Sequence, residues 1–131
     1  MATPDTLAFA ERSAPWWQAL RRRYSLPDPD DERPQARLVR RAHVGVLTDM
    51  AFLDSHPAHL HVDLLPRVQG QGHGMHLMTT LIGALRSARV PGVHLAVAQR
   101  NVRAEAFYRR LGFEPLEQEP WGAWMGLSLS S

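Results

Sequence analysis

Apolar and polar positions change period several times along the chain, and each change marks an element. Between 6 and 24, Leu7, Phe9, Ala14, Trp16, Trp17 and Leu20 stand among charges at broadly helical spacing. Pro15 is placed to start a second helix inside that stretch, since its fixed φ and missing N–H suit a first turn. From 25 to 34, three prolines and four acids exclude regular structure and predict an exposed loop. The segment 36–44 reads as a strand, with Leu38 on one face and Arg37, Val39 and Arg41 on the other, and a loop or short helix through Leu53 follows it. Residues 58–65, closed by Pro66, are expected as a buried strand.

The second half is better punctuated. Met75, Met78, Leu81, Ile82 and Leu85 recur at helical spacing, so an amphipathic helix is predicted over 72–86, starting directly out of a run of glycines. Pro91-Gly92 leads into a short apolar run over 93–98, read as a second buried strand. Asn101 can cap the next helix, where Ala104, Phe107, Tyr108 and Leu111 make one stripe and Gly112 supplies the stop. The tail over 113–129, with Trp121 and Trp124 around Gly122, suits two last strands. Strand, glycine turn, helix, strand, helix, strand is the order of an α/β (α+β) domain whose ligands bind where strands end. At 131 residues the chain is long enough for one core and too short for two.

Composition narrows the chemistry. Cysteine is absent, which removes disulfides, zinc-thiolate sites and thiol nucleophiles, and leaves a cytoplasmic setting as the expectation. The first residues lack the basic and apolar regions of a signal peptide, and no apolar run approaches the roughly 20 residues a membrane span needs. Net charge is +2, every basic residue is Arg, and the clusters Arg21-Arg22-Arg23 and Arg40-Arg41 carry no interleaved aromatic pairs. Solvated surface is the expected reading of those clusters, and nucleic-acid binding is not expected.

Gln69-Gly70-Gln71-Gly72-His73-Gly74 lies between a predicted strand and a predicted helix. A phosphate needs clustered backbone amides and a positive helix end, and glycines let it approach closely. The P-loop pattern requires a lysine, and this chain has none. A dinucleotide fingerprint needs an acid at a strand end about 20 residues on, and none stands near 91–94. What remains resembles the GNAT superfamily of acetyltransferases. Gln69, Gly72 and Gly74 match its Gln/Arg-x-x-Gly-x-Gly/Ala loop, with Leu64-Leu65-Pro66 before it. Asn101, Ala104, Phe107, Tyr108, Gly112 and Phe113 match its second signature. With 57–66, these residues look most like the acetyltransferase-like domains found alone in bacteria and at the C-terminus of O-GlcNAcase.

The resemblance implies a GNAT-like mixed sheet flanked by helices, with acetyl-CoA as cosubstrate. It implies that the backbone of Val62, Asp63 and Leu64 pairs with the pantetheine arm as an added strand does. Gln69, Gly70, Gln71, Gly72, His73, Gly74 and Met75 would hold the pyrophosphate, and Asn101 would bond the cofactor. Tyr108 would lie near the thioester sulfur, where a phenol of unperturbed pKa about 10 can donate to the leaving thiolate. The acceptor is an amine, on a small molecule or a protein lysine. His59, His61 and Asp63 alternate along the strand predicted over 58–65 and so share a face, which makes Asp63 and His61 the local base candidates. No metal is expected, although the same three residues could in principle form a ligand triad.

Plainer readings stand beside each of these. The glycines could form an ordinary turn, Tyr108 could be core, Asn101 only a cap, the histidines packing residues, and the four tryptophans core or interface anchors. A complete domain of this family opens with a strand, two helices and a further strand, little of which is recognisable here. The sheet is therefore expected to be truncated at its N-terminal side, with a homodimer covering the exposed edge. The alternative function is a CoA-binding or degenerate module that serves interaction and not catalysis.

Overall fold

A computed structural model describes residues 2–62, 70 and 72–130. Two compact units emerge. One is the segment 6–50; the other joins the first five residues to the chain from Ala51 onward.

The 6–50 unit is a pair of helices, α1 (Thr6–Arg23) and α2 (Pro34–Val44). Pro15 lies inside α1 and starts no second helix there. Turns on both sides carry the helix past the missing N–H, and Ser13 Oγ back-bonds to the carbonyl of Phe9 at 2.8 Å. Segment 36–44, expected as a strand, is helical. Pro34 pre-sets the first turn, Ala, Arg and Leu are strong helix formers, and Gly45 closes the helix with its N–H on Arg41 O. The alternation that suggested a strand has no buried counterpart, for Leu38 is 72% exposed and Ala36 alone is buried. Arginines tie the pair together through backbone carbonyls. Arg21 Nε donates to His43 O at 3.1 Å, and Arg40 donates to Asp28 O and Asp31 O, each at 2.6 Å.

The other unit is a five-stranded mixed sheet with two helices. Its strands are β1 (Ala2–Thr3), β2 (Ala58–Leu60), β3 (Gly92–Ala98), β4 (Glu114–Glu119) and β5 (Gly122–Ser128), in the order β1-β2-β3-β5-β4. A 3-10 turn, Ala51–Leu53, precedes β2. Helices α3 (His73–Ser87) and α4 (Val102–Arg110) flank β3 in sequence. Both were legible as patterns, as were β3 and the β4–β5 hairpin. Period-two alternation divides the sheet. Val93, Leu95 and Val97 of β3 join Ala58, Leu60 and Met125 in a core completed by Met78, Ile82 and Leu85 of α3, with Ala104, Phe107 and Tyr108 of α4 packed against it. Facing the other way are His59, His94, Trp124 and Gly126, and here Phe52 and His56 pack.

Two registers position the site. β1 pairs antiparallel with β2, Thr3 opposite His59, so Ala2 and Thr3 line the β2 edge. Among the described residues, β2 and β3 are parallel neighbours at Ala58↔Val93 and His59↔His94 alone. β2 stops at Leu60, with His61 and Val62 outside it and residues 63–65 of the strand expected over 58–65 lying outside the described residues, while β3 runs on to Ala98 paired with β5 alone among the described residues. The sheet therefore forks just after the two histidines.

Candidate cofactor and acyl-transfer site

Gly72 caps α3 in the left-handed region, φ 81°, and Gly70 before it has φ 76°. A side chain at either position is strained by the backbone alone, yet a Cβ built on either would touch nothing within 4 Å. Packing does not require these glycines; the turn does, and so does the open space in front of it. The first helical hydrogen bond of α3 is His76 N to Gly72 O at 3.0 Å, and the cap has no side-chain acceptor. The N–H groups of the first turn point at the helix end without intrahelical partners, and the helix dipole adds positive potential there.

That end opens into a cavity of about 620 Å³ lined by Val62, Gly70, Gly72, Gly74, Met75, Asn101, Arg103, Ala104, Phe107, Tyr108 and Arg110. The volume suits a cofactor-sized ligand. None of these lining residues is acidic, and Arg103 and Arg110, two turns apart on α4, make the walls positive. A second cavity, near Val97, Glu105 and Glu119, holds only about 120 Å³. Glu105 there is already bonded to Arg109 at 2.9 Å, so it offers neither room nor charge for a polyanion.

Seven residues expected at a cofactor site thus share one cavity: Val62, Gly70, Gly72, Gly74, Met75, Asn101 and Tyr108. His73 begins α3 but is not in the lining. Asp63, Leu64, Gln69 and Gln71 lie outside the described residues. Asn101 is the helix cap, its Oδ1 accepting from Ala104 N at 3.2 Å, and its amide N–H groups remain as donors beside the cavity. Tyr108 is half-buried, with its ring 5.7 Å from Phe113 and 5.5 Å from Phe107. Core packing and presence at the cavity wall therefore hold together for this residue. Arg103 and Arg110 were not singled out from the sequence. The signal was their spacing with Phe107, which puts all three on one helical row, and Arg110 lies over the Phe107 ring at 5.9 Å.

The strand-borne candidates divide. His61 is exposed beyond the end of β2, so it no longer alternates with His59 on a common strand, and Asp63 is outside the described residues. Among the described residues no group of three His, Asp or Glu side chains could hold a metal ion. His59 and His94 instead meet on the sheet face opposite α3 and α4, ring centroids 5.8 Å apart. Burial pushes His59 below the usual histidine range, and the neighbouring charge of His94 adds to this. Burial also lowers His94, against opposing hydrogen bonds to the backbone of His56 and Ala58. Trp124 packs edge-on to His94, whereas Trp16 and Trp121 are 59% and 46% exposed and anchor no core. Among the described residues no helix is long and apolar enough to cross a membrane.

The acetyltransferase (GNAT) family model matches residues 17–113. Among solved structures, SsHAT is 34% identical, with a TM-score of 0.79 over 99% of this chain and 65% of its own. The ribosomal-protein-S18-alanine N-acetyltransferase from Escherichia coli is 28% identical over 56% of this chain and 55% of its own, with a TM-score of 0.51. A likeness of fold alone links the chain to yncA of Salmonella typhimurium, solved with its cofactor acetyl-CoA, at 16% identity, 97% and 91% coverage and a TM-score of 0.56. The chain spans 65% and 55% of the first two relatives' lengths.

Proposed function

The chain belongs to the GNAT acetyltransferase family, and from that premise we propose that it binds acetyl-CoA in the α3–α4 cavity and transfers the acetyl group to an amine. The observation that carries the reading is the open glycine cradle at the α3 N-terminus, continuous with a cavity whose lining, among the described residues, holds two arginines and no acid. A diphosphate meets three needs there at once: unpaired amides, a helix end of the right sign, and space that a Cβ would fill. Gly70, Gly72 and Gly74, with the amides of His73 and Met75, hold the pyrophosphate. Arg103 and Arg110 balance its charge.

The fork beyond His59 and His94 leaves the β3 edge from Leu95 to Ala98 paired on the β5 side alone among the described residues. An extended arm lying between that edge and Val62 satisfies backbone groups as a strand would. Tyr108, on the wall of the same cavity, serves as the acid. The amine nitrogen attacks the thioester carbonyl, the C–N bond forms, the C–S bond breaks, and the thiolate takes the phenolic proton. Its supporting features are position and chemistry: a hydroxyl on a rigid helix, in a wall that excludes water from one side. A non-catalytic CoA-binding module is the rival reading, favoured by the packing of Tyr108 on Phe113.

The test is release of free CoA from acetyl-CoA in the presence of an amine panel, with and without Tyr108→Phe. Turnover beyond one equivalent, reduced in the variant, is expected. Binding without turnover by any amine would replace the enzyme reading with the rival.

A further inference from the structure

Sulfur in this chain is carried by methionine alone, since cysteine is absent. Its methionines are placed very differently. Met78 and Met125 are 0% and 1% exposed and belong to the core around the sheet. Met75, one turn before Met78 on α3, is 37% exposed and lines the α3–α4 cavity. The helix accounts for the contrast: Met78, Ile82 and Leu85 are its buried residues, whereas Met75 stands in its first turn, just after the Gly72 cap. A thioether there is flexible, polarisable and open to a small solute. Oxidation turns that apolar side chain into a polar, chiral one whose oxygen accepts hydrogen bonds. Around it are groups that await an acceptor: the N–H groups of the first turn, which have no intrahelical partner, and Arg103 on the cavity wall.

We propose that Met75 is a reversible oxidation site that governs cofactor binding: hydrogen peroxide converts it to the sulfoxide, and the sulfoxide keeps acetyl-CoA out; this rests on the cofactor-binding reading above. The sulfur lone pair attacks one peroxide oxygen, the S–O bond forms and the O–O bond breaks. Sulfur gives up two electrons, and the departing oxygen takes both hydrogens and leaves as water, so atoms and electrons balance. The new oxygen stands as a tethered acceptor in a cavity whose donors serve the pyrophosphate, and it competes for them. A bound cofactor in turn covers the sulfur, so the filled and the oxidised states exclude each other. Met78 and Met125 are too deeply buried for peroxide to reach them in the folded chain. Methionine sulfoxide reductases, one for each sulfoxide epimer, restore the thioether and with it the site.

The experiment treats the full chain with hydrogen peroxide, with and without desulfo-CoA, which offers peroxide no sulfur. Peptide mass spectrometry reads the sulfoxide at each methionine and, once peroxide is removed, calorimetry reads the affinity for acetyl-CoA. Met75 is expected to oxidise at least about tenfold faster than Met78 or Met125, as exposure dictates. Desulfo-CoA at about ten times its Kd should slow that oxidation about tenfold by mass action. Affinity should fall about tenfold or more in protein fully oxidised at 75 and return after treatment with the two reductases. Met75→Leu is compared only with itself, before and after peroxide, and its affinity is expected not to change on treatment; the comparison removes any effect of sulfoxide at the partly exposed Met50. Complete oxidation of Met75 with affinity unchanged overturns the proposal and leaves the cofactor reading intact. An equal loss in Met75→Leu does the same, and so does a Met75 oxidation rate that bound desulfo-CoA leaves unaltered. Untreated protein that binds no acetyl-CoA overturns both.

Discussion

Asn101 Oδ1 accepts the backbone N–H of Ala104 at 3.2 Å, so the side chain that starts α4 also stands on the cavity wall. Removing it separates two duties. Asn101→Ala is expected to cost about 1 kcal/mol of stability through the lost cap, read as a shift in the urea midpoint. Loss of affinity for acetyl-CoA beyond about threefold, in protein verified as folded, would show the amide acting as a ligand as well.

Gly72→Val should distinguish turn from cradle. Nothing lies within 4 Å of the added Cβ, so folding bears only the strain of a φ of 81°, about 1–2 kcal/mol. Cofactor binding should suffer far more, by tenfold or greater, because the branched side chain fills the space the pyrophosphate takes. Equal losses in stability and binding, measured by denaturation and calorimetry, would mean an ordinary tight turn.

How far these features could be read in the sequence depends on how local their signals are. Asn101 and Gly112 bracket α4, the glycine run marks the start of α3, and the alternation of Val93, Leu95 and Val97 matches the core face of β3. Each is decided by a few neighbouring residues. The error at 36–44 came from reading Leu38, Val39 and Arg41 as alternation while Pro34 and Gly45, four to seven residues off, were setting helix ends. The fork was not legible at all, because it depends on where β2 and β3 cease to pair, a relation between segments more than thirty residues apart. For the same reason His59 and His61 were read onto one strand, whereas β2 ends at Leu60 between them.

Acid should destabilise the fold through the buried imidazoles. Burial holds His56, His59 and His94 below the unfolded value of 6.5, so the unfolded chain binds more protons. Their contribution is complete above about pH 6.5 and is lost as pH falls through the lower folded values. The urea midpoint is expected to drop between pH 7.5 and pH 5 in wild type and to drop less in His94→Gln. A separate, lower window belongs to Asp31, held at about 2 chiefly by hydrogen bonds from Arg33. An unchanged midpoint down to pH 5 would show that the histidines are hydrated in solution.

Charge on α4 should appear as salt dependence. Arg103→Ala and Arg110→Ala are each expected to weaken acetyl-CoA binding several-fold at low ionic strength, with the difference shrinking as salt rises. Affinities indistinguishable from wild type at 20 mM salt would place both arginines outside the ligand's reach.

The central claim, that the glycine cradle and the α4 wall form one site for acetyl-CoA, is tested most directly by calorimetric titration of acetyl-CoA into the full chain. Saturable one-site binding with a Kd at or below about 100 μM, near −5.5 kcal/mol, is the predicted result, with desulfo-CoA competing for the same site. No heat, and no thermal shift at millimolar cofactor, would contradict it.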